Sequence, residues 1–68
     1  MDNKIEVYLT LNGLTNTELA RRVGITRAHL WQISTGRIRP RIDTAGRIAK
    51  ELGCTVTDLF PEGGDDAE

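Results

Sequence analysis

The chain has 68 residues, with nine Lys and Arg, ten Asp and Glu and one Cys, and its formal net charge is −1. This length allows one small domain and excludes a second. A single Cys excludes an internal disulfide, and no Cys/His cluster has the spacing of a zinc site, so the core must rely on helix packing. No signal-peptide segment and no apolar run of about 18 residues occur, so we expect a cytoplasmic protein without a membrane span.

The charge is distributed unevenly along the chain. Residues 1–60 carry nine basic and six acidic side chains, a net charge of +3, whereas residues 61–68 carry four acids and no base. The interval between Leu19 and Ile42 contains no acid. It contains six arginines, namely Arg21, Arg22, Arg27, Arg37, Arg39 and Arg41. We interpret Arg21 and Arg22 as a solvated helix face, and the positions of the other four favour phosphate contacts.

The segment of residues 4–12 fits two secondary structures. Ile5, Val7, Leu9 and Leu11 alternate as in a strand, whereas a helix aligns Ile5 and Leu9 with Tyr8 and Asn12. In the helical reading, Val7 and Leu11 face solvent, as scattered apolar surface or as part of a contact with another subunit. Residues 1–3 are expected to fray.

Two short helices are predicted between Thr15 and Gly36. Thr15 and Glu18 form a capping box at the start of the first helix, and Leu14 and Leu19 have the spacing of a hydrophobic staple. Gly24 ends this helix, because a left-handed cap favours a residue without Cβ. Thr26 caps the second helix, which we expect to run to Gly36.

The remaining residues predict two further helices after the connector of residues 37–42. Pro40 breaks helical geometry there, and Asp43 lies at or near the next helix start. Gly46 within that helix indicates either close approach of another helix or a simple imperfection. Thr55 with Asp58 starts a last short helix over 55–60. We expect a domain over residues 1–61 and a disordered acidic tail over 62–68.

Apolar positions on these helices define the expected core. They are Ile5, Tyr8, Leu9, Leu14, Leu19, Ala20, Val23, Ile25, Leu30, Ile33, Ile48, Ala49, Leu52, Val56 and Leu59. Cys54 is expected to be a small buried apolar residue. We find no carboxylate pair, Ser/His/Asp set, metal spacing or phosphate-binding glycine loop, so we expect no enzyme activity, no metal and no cofactor.

The joint pattern T-x-x-E-L-A-x-x-x-G-I-T, then L-x-x-I-x-x-G and Pro40, resembles the phage repressor and Cro type (Cro/C1) helix-turn-helix family. The likeness extends from about Ile5 to Phe60. It implies an all-α, compact five-helix lambda-repressor-like domain with the helix-turn-helix at helices 2 and 3. It therefore favours a helix over residues 4–12, and it implies binding to operator DNA.

Helix geometry separates two faces of the predicted recognition helix, residues 26–35. Leu30 and Ile33 face the core, and the outward set is Arg27, Ala28, Trp31, Gln32 and Thr35. Arg27 fits contact with guanine, Gln32 with adenine and Ala28 with a thymine methyl group, and these positions match those that read bases in the family. Trp31 is open to three roles: packing on sugar or a thymine methyl, stacking under Arg27, or contact with a partner protein.

The expected phosphate contacts come from helix starts and from the arginine connector. They are Asn16, Thr26, Thr35, Arg37, Arg39 and Arg41. Asn16 stands where the family usually has a Gln that binds phosphate and braces the recognition helix. His29 lies at the edge of the buried face, which favours a structural role.

The resemblance implies a transcriptional regulator, expected to act as a repressor and to bind double-stranded operator DNA as a homodimer. The dimer interface could use the last helix, including Phe60, or Val7 and Leu11. Two other functions fit the same scaffold: an antitoxin, or a protein-interaction module that uses Trp31 or the C-terminal helix.

Overall fold

The computed structural model describes residues 3–61. Within them the chain forms α1 (Ile5–Asn12), α2 (Asn16–Val23), α3 (Arg27–Ser34), α4 (Ile42–Leu52) and α5 (Val56–Leu59). The all-α prediction is confirmed, and residues 5–12 are helical although their apolar pattern also fitted a strand. The predicted acidic tail over 62–68 lies outside the described residues.

Three of these helices start with the same local design. Residues 13–15, 24–26 and 53–55 each place a glycine at the end of one helix and a threonine at the N-cap of the next. The glycines have positive φ angles of 66°, 87° and 72°. The residue between glycine and threonine donates its N–H to a carbonyl of the preceding helix, at 2.9 to 3.0 Å. Each junction therefore closes one helix and opens the next within three residues.

The leucine four positions after each capping threonine anchors the helix in the core. Leu19, Leu30 and Leu59 are completely buried. Each is preceded by a half-buried staple partner before the threonine, Leu14, Ile25 or Cys54. This spacing fixes the angle at which the chain enters each helix, because the two apolar side chains flank the cap.

The core lies between α4 and the helices packed around it. α2 packs on both α3 and α4, and α4 also contacts α1 and α5. The buried hydrophobic residues are Ile5, Leu9, Leu19, Ala20, Val23, Leu30, Ile33, Ala45, Ile48, Ala49, Leu52, Leu59 and Phe60. Tyr8, Leu14, Ile25, Cys54 and Val56 are only partly buried against that cluster. The expected core is thus confirmed in outline, with these five at its rim.

Hydrogen bonds between distant segments fasten the N-terminal part of the chain. The Lys4 N–H donates to the Leu59 carbonyl at 2.9 Å. The Asn12 side-chain amide donates to the Leu52 carbonyl at 3.1 Å. Asn3 Nδ2 donates to the Ile33 carbonyl at 2.8 Å. The expectation that the chain frays through Asn3 is therefore wrong at that residue.

Two local predictions need correction, and one open alternative, at Gly46, is decided. α3 ends at Ser34 rather than at Gly36, because Gly36 takes a positive φ angle of 81° and turns the chain out of the helix. A Cβ added at Gly46 would meet no atom within 4 Å, so this glycine is an imperfection in α4 and not a site of close packing. Phe60 is 2% exposed, so it belongs to the core and does not offer an exposed dimer surface.

Candidate nucleic-acid interface

The start of α2 is held by a complete capping box. Thr15 Oγ1 accepts the Glu18 N–H at 3.1 Å, and Glu18 Oε1 accepts the Thr15 N–H at 3.0 Å. These bonds from Thr15, the backbone bond foremost, hold the pKa of Glu18 below its ordinary value. The carboxylate at this helix start is therefore ionised and engaged with α2's own backbone.

The turn into α3 sets the angle between the two helices of the motif. Gly24 has a φ of 87° and donates its N–H to the Ala20 carbonyl at 2.9 Å. A residue with a Cβ would be strained at this positive φ. Thr26 Oγ1 then accepts the His29 N–H at 3.0 Å. The N–H groups of Arg27 and Ala28 have no carbonyl partner within α3, because they precede its first helical hydrogen bond.

The two faces of α3 differ as the helical spacing predicts. Leu30 and Ile33 are completely buried and fix the helix to the core. The outward residues Arg27, Ala28, Trp31, Gln32 and Thr35 are all exposed. A single rigid helix thus presents a cation, a methyl group, an indole and an amide on one face.

Trp31 makes a stacking contact with an arginine that the sequence did not predict. The Arg37 guanidinium lies over the indole, with its central carbon 4.9 Å from the ring centroid. Of the three roles left open for Trp31, stacking with an arginine occurs, but with Arg37 and not with Arg27. Trp31 is still 48% exposed. Because α3 ends at Ser34, Arg37 returns over the helix instead of continuing it, and helical spacing could not have revealed this pair.

Asn16 makes a contact that bears on its predicted phosphate role. Its Nδ2 donates to Glu6 Oε2 of α1 at 3.4 Å. Its Oδ1 is buried and has no hydrogen-bond partner. The second hydrogen of Nδ2 is left for a phosphate oxygen, but that oxygen would lie close to the negatively charged Glu6 carboxylate. Glu6 thus belongs to this surface, and no sequence pattern predicts it, because its contact with Asn16 depends on how α1 lies beside α2.

The other phosphate candidates differ in how free their donors are. Thr35 Oγ1 donates to the Trp31 carbonyl at 2.8 Å, so its hydroxyl hydrogen is already used within α3. Arg41 Nε lies 4.0 Å from Asp43 Oδ1, and both side chains are largely exposed, so the pair is weak. Arg37 and Arg39 are exposed. Thr26 uses its oxygen as an acceptor, which leaves its hydroxyl hydrogen available.

The arginines on α2 lie differently. Arg22 Nη1 is 3.9 Å from Glu51 Oε1 of α4, on the side of the molecule where the helices pack together. Arg21 is exposed. This arrangement fits the interpretation of Arg21 and Arg22 as a solvated helix face.

Chemistry other than binding finds little support in residues 3–61. No group of three or more His, Cys, Asp or Glu that could hold a metal ion occurs in that part of the chain. Burial, aided by the Asp58 carboxylate, raises the pKa of the Cys54 thiol, which keeps it neutral and a poor nucleophile. Over the same range, no helix combines the length and apolarity needed to cross a bilayer.

Comparison with known proteins decides the family. The model of the Cro/C1-type HTH DNA-binding domain matches residues 4–61. The chain belongs to this Cro/C1-type family. The match covers all five helices, including the α2 and α3 pair whose geometry is described above. The resemblance read from the T-x-x-E-L-A and G-I-T motifs is thereby confirmed.

Curated relatives agree with this Cro/C1-type assignment. An uncharacterized HTH-type transcriptional regulator of Methanocaldococcus jannaschii is 35% identical over 60 residues, which is 88% of this chain and 91% of the relative. One of Methanothermobacter thermautotrophicus is 45% identical over 49 residues, which is 71% of each chain. One of Archaeoglobus fulgidus is 30% identical over 60 residues, covering 88% of this chain and 86% of the relative.

Proposed function

We propose that the protein is a sequence-specific regulator of transcription that inserts α3 into the major groove of an operator. One observation carries this proposal. The exposed face of α3 joins Arg27, Ala28, Trp31 and Gln32, while the opposite face is completely buried. A helix held in this way can enter a groove about 12 Å wide without rearrangement of the fold.

The base contacts follow from the donor and acceptor groups on that face. Arg27 donates two hydrogen bonds to guanine O6 and N7, and Gln32 pairs with adenine N6 and N7. The Ala28 methyl group contacts a thymine methyl group. Two bidentate contacts specify only a few base pairs, so one copy of α3 reads a short half-site.

Selection of bound duplexes from a random pool tests the base contacts. We expect one family of sequences with nanomolar, salt-dependent binding. Arg27→Ala should lose roughly 1–3 kcal/mol on the best duplex and relax preference at one base pair. Arg21→Ala removes the same charge from α2 and should leave that preference intact. Equal loss by Arg27→Ala on all duplexes would contradict base reading by Arg27.

The phosphate contacts are proposed for Thr26, Arg37 and Arg39 first, because their donors are available. Asn16, Thr35 and Arg41 come second, because Thr35 already uses its hydroxyl hydrogen and the other two lie beside the carboxylates of Glu6 and Asp43. Arg39→Ala should weaken binding to every duplex and lower the salt slope by about 1. Arg22→Ala, which removes a guanidinium paired with Glu51, is the matched control. An unchanged slope for Arg39→Ala would remove that residue from the set.

We further propose a homodimer on DNA that acts as a repressor. Family members of this size usually pair two half-sites about 34–36 Å apart, and Val7 and Leu11 supply an exposed apolar surface, at 52% and 72% exposure. A dimer on an operator that overlaps a promoter would exclude the polymerase. Sedimentation that shows only monomer, free and on a selected duplex, would contradict the dimer. Transcription from such a promoter tests repression.

A protein-interaction module or an antitoxin is the second candidate. The half-exposed Trp31 favours it, because large aromatic side chains are common anchors in protein interfaces. In that case the random pool would yield no preferred duplex. Co-purification of a single small partner, lost in Trp31→Ala, would then replace the operator as the ligand.

A further inference from the structure

A groove opens between the starts of α2 and α3. It is lined by Asn16, Thr17, Arg27, Ala28 and Trp31, mainly through apolar atoms. Three of these residues belong to the exposed face of α3, and two belong to the first turn of α2. The groove is therefore continuous with the surface that the proposed function places against DNA.

Trp31, one wall of the groove, is also contacted by a residue outside it. Arg37 stacks on Trp31 at 4.9 Å from the ring centroid, and it is not among the groove-lining residues. The half-exposed indole therefore has a cation stacked on its ring while it also lines the groove. An aromatic wall that is already oriented loses little conformational entropy when it contacts a ligand.

The shape and chemistry of the groove suit a methyl group better than a phosphate. The methyl of Ala28, the indole of Trp31 and the aliphatic part of Arg27 make an apolar lining. At its edge, Asn16 Nδ2 donates to the Glu6 carboxylate at 3.4 Å. The negative charge of that carboxylate disfavours a phosphate nearby and does not oppose a methyl group.

Pyrimidine bases present such a group in the major groove. The 5-methyl group of thymine lies at the groove edge beside its own strand's backbone. α3 reaches the base edges and the start of α2 reaches the backbone, so a groove between them meets that position. Arg27 would read a neighbouring guanine at the same time.

We propose that this groove binds the 5-methyl group of a pyrimidine, and that Trp31 is a specificity-determining residue for a methylated pyrimidine beside the guanine read by Arg27. This inference rests on the proposed DNA-reading function. It adds the chemical group that the apolar part of the DNA-facing surface binds. The methyl group can belong to thymine or to 5-methylcytosine, since both carry it at the same ring position.

The test uses the full chain and a duplex selected from the random pool. Each thymine is replaced in turn by uracil, which removes the methyl group and keeps the base pair. We expect one position per half-site at which uracil weakens binding about fourfold, the effect of burying one methyl group. At that position, cytosine and 5-methylcytosine form a second pair that differs only by the methyl group.

Substitution of Trp31 connects the effect to the groove. Trp31→Ala should bring the thymine-to-uracil ratio close to one, and Trp31→Phe, which keeps an aromatic ring, should preserve most of it. The readout is the ratio of the affinities for the thymine and uracil duplexes. Loss of the stacking contact with Arg37 alone would weaken binding to both duplexes equally and leave that ratio unchanged. Ile42→Ala, an exposed apolar change at the start of α4, is the control and should leave the ratio unchanged.

The outcomes separate this inference from the function beneath it. A methyl effect in the thymine pair alone assigns the groove to thymine, and an effect in both pairs assigns it to either base. No methyl effect at any position, or one that persists fully in Trp31→Ala, overturns the inference while operator binding stands. Failure to select any duplex overturns the proposed function as well.

Discussion

The starts of α2 and α3 share the same glycine, apolar residue and threonine, and they differ in the residue that can close the cap. Both helices have eight residues and follow a glycine, an apolar residue and a capping threonine. Three residues after the threonine, α2 has Glu18, which closes the capping box, and α3 has His29, which leaves it half closed. The start of α5 resembles α2, because Asp58 closes the box with Thr55.

This difference separates stability from binding within one motif. A carboxylate at position 29 would complete the cap of α3 and would also stand beside Arg27 on the surface proposed to meet DNA. The whole interval between Leu19 and Ile42, which includes α3, likewise contains no acid that would repel DNA phosphates. The helix proposed to enter the groove therefore has a weaker start than α2 and α5, whose capping boxes are complete.

The largest expected effect is a loss of folding stability when the buried side of α3 is truncated. Leu30→Ala should destabilise the fold by about 2–5 kcal/mol, because Leu30 is completely buried and its removal leaves a cavity. Gln32→Ala, two residues away on the exposed face, should change stability by less than about 0.5 kcal/mol. Urea unfolding measures both. Equal midpoints would show that the buried face of α3 does not anchor it.

The next effect provides a more stable background for binding studies. Gly46→Ala should raise stability by about 0.5–1 kcal/mol, because the position is helical and a Cβ there meets open space. The same change at Gly24 should destabilise by about 1–2 kcal/mol, since that residue has a positive φ. We expect the melting temperature to rise in Gly46→Ala and to fall in Gly24→Ala. A loss of stability in Gly46→Ala would mean that α4 needs the glycine.

The comparison of the two caps is tested directly at position 29. His29→Glu should stabilise the fold by about 0.3–1 kcal/mol through the completed cap and the helix dipole. It should also weaken binding to every duplex, because it adds a negative charge at the start of α3. His29→Gln offers the cap without the charge and should keep more of the affinity. Equal affinity for the two variants would show that charge at this position is irrelevant.

The smallest effect is a pH dependence that belongs to α2. The pKa of Glu18 is lowered by its bonds to Thr15, so its contribution to stability is present above the unfolded value of about 4.3 and is lost as pH falls through the lowered pKa. Glu18→Gln should therefore show a smaller decrease in the urea midpoint on acidification than the natural chain. Identical acid profiles would place the acid sensitivity elsewhere.

Much of the fold could be predicted because its signals are local. The three threonine caps, their staple pairs and the glycines before them specify where helices begin and end within a few residues of sequence. The outward face of α3 was predicted for the same reason, since helical spacing separates Leu30 and Ile33 from Arg27 and Gln32. Residues 4–12 contain no capping pattern, so only the family resemblance favoured a helix there.

The features that were missed depend on contacts between segments. Arg37 stacks on Trp31 because the chain turns back after Ser34, and the sequence had suggested a longer α3. Glu6 reaches Asn16 only through the placement of α1 beside α2. Phe60, one of the options for the dimer interface, is buried where α5 packs on α4. No spacing rule within one helix contains this information.

The bond from Asn3 to the Ile33 carbonyl has a practical consequence for handling the protein. It joins the first described residue to the last turn of the helix proposed to touch DNA. A purification tag or fluorescent label fused to the N-terminus would be tethered within a few residues of this contact, so its bulk or charge would change apparent affinities. A cleavable tag, with affinities compared before and after its removal, guards against this artefact.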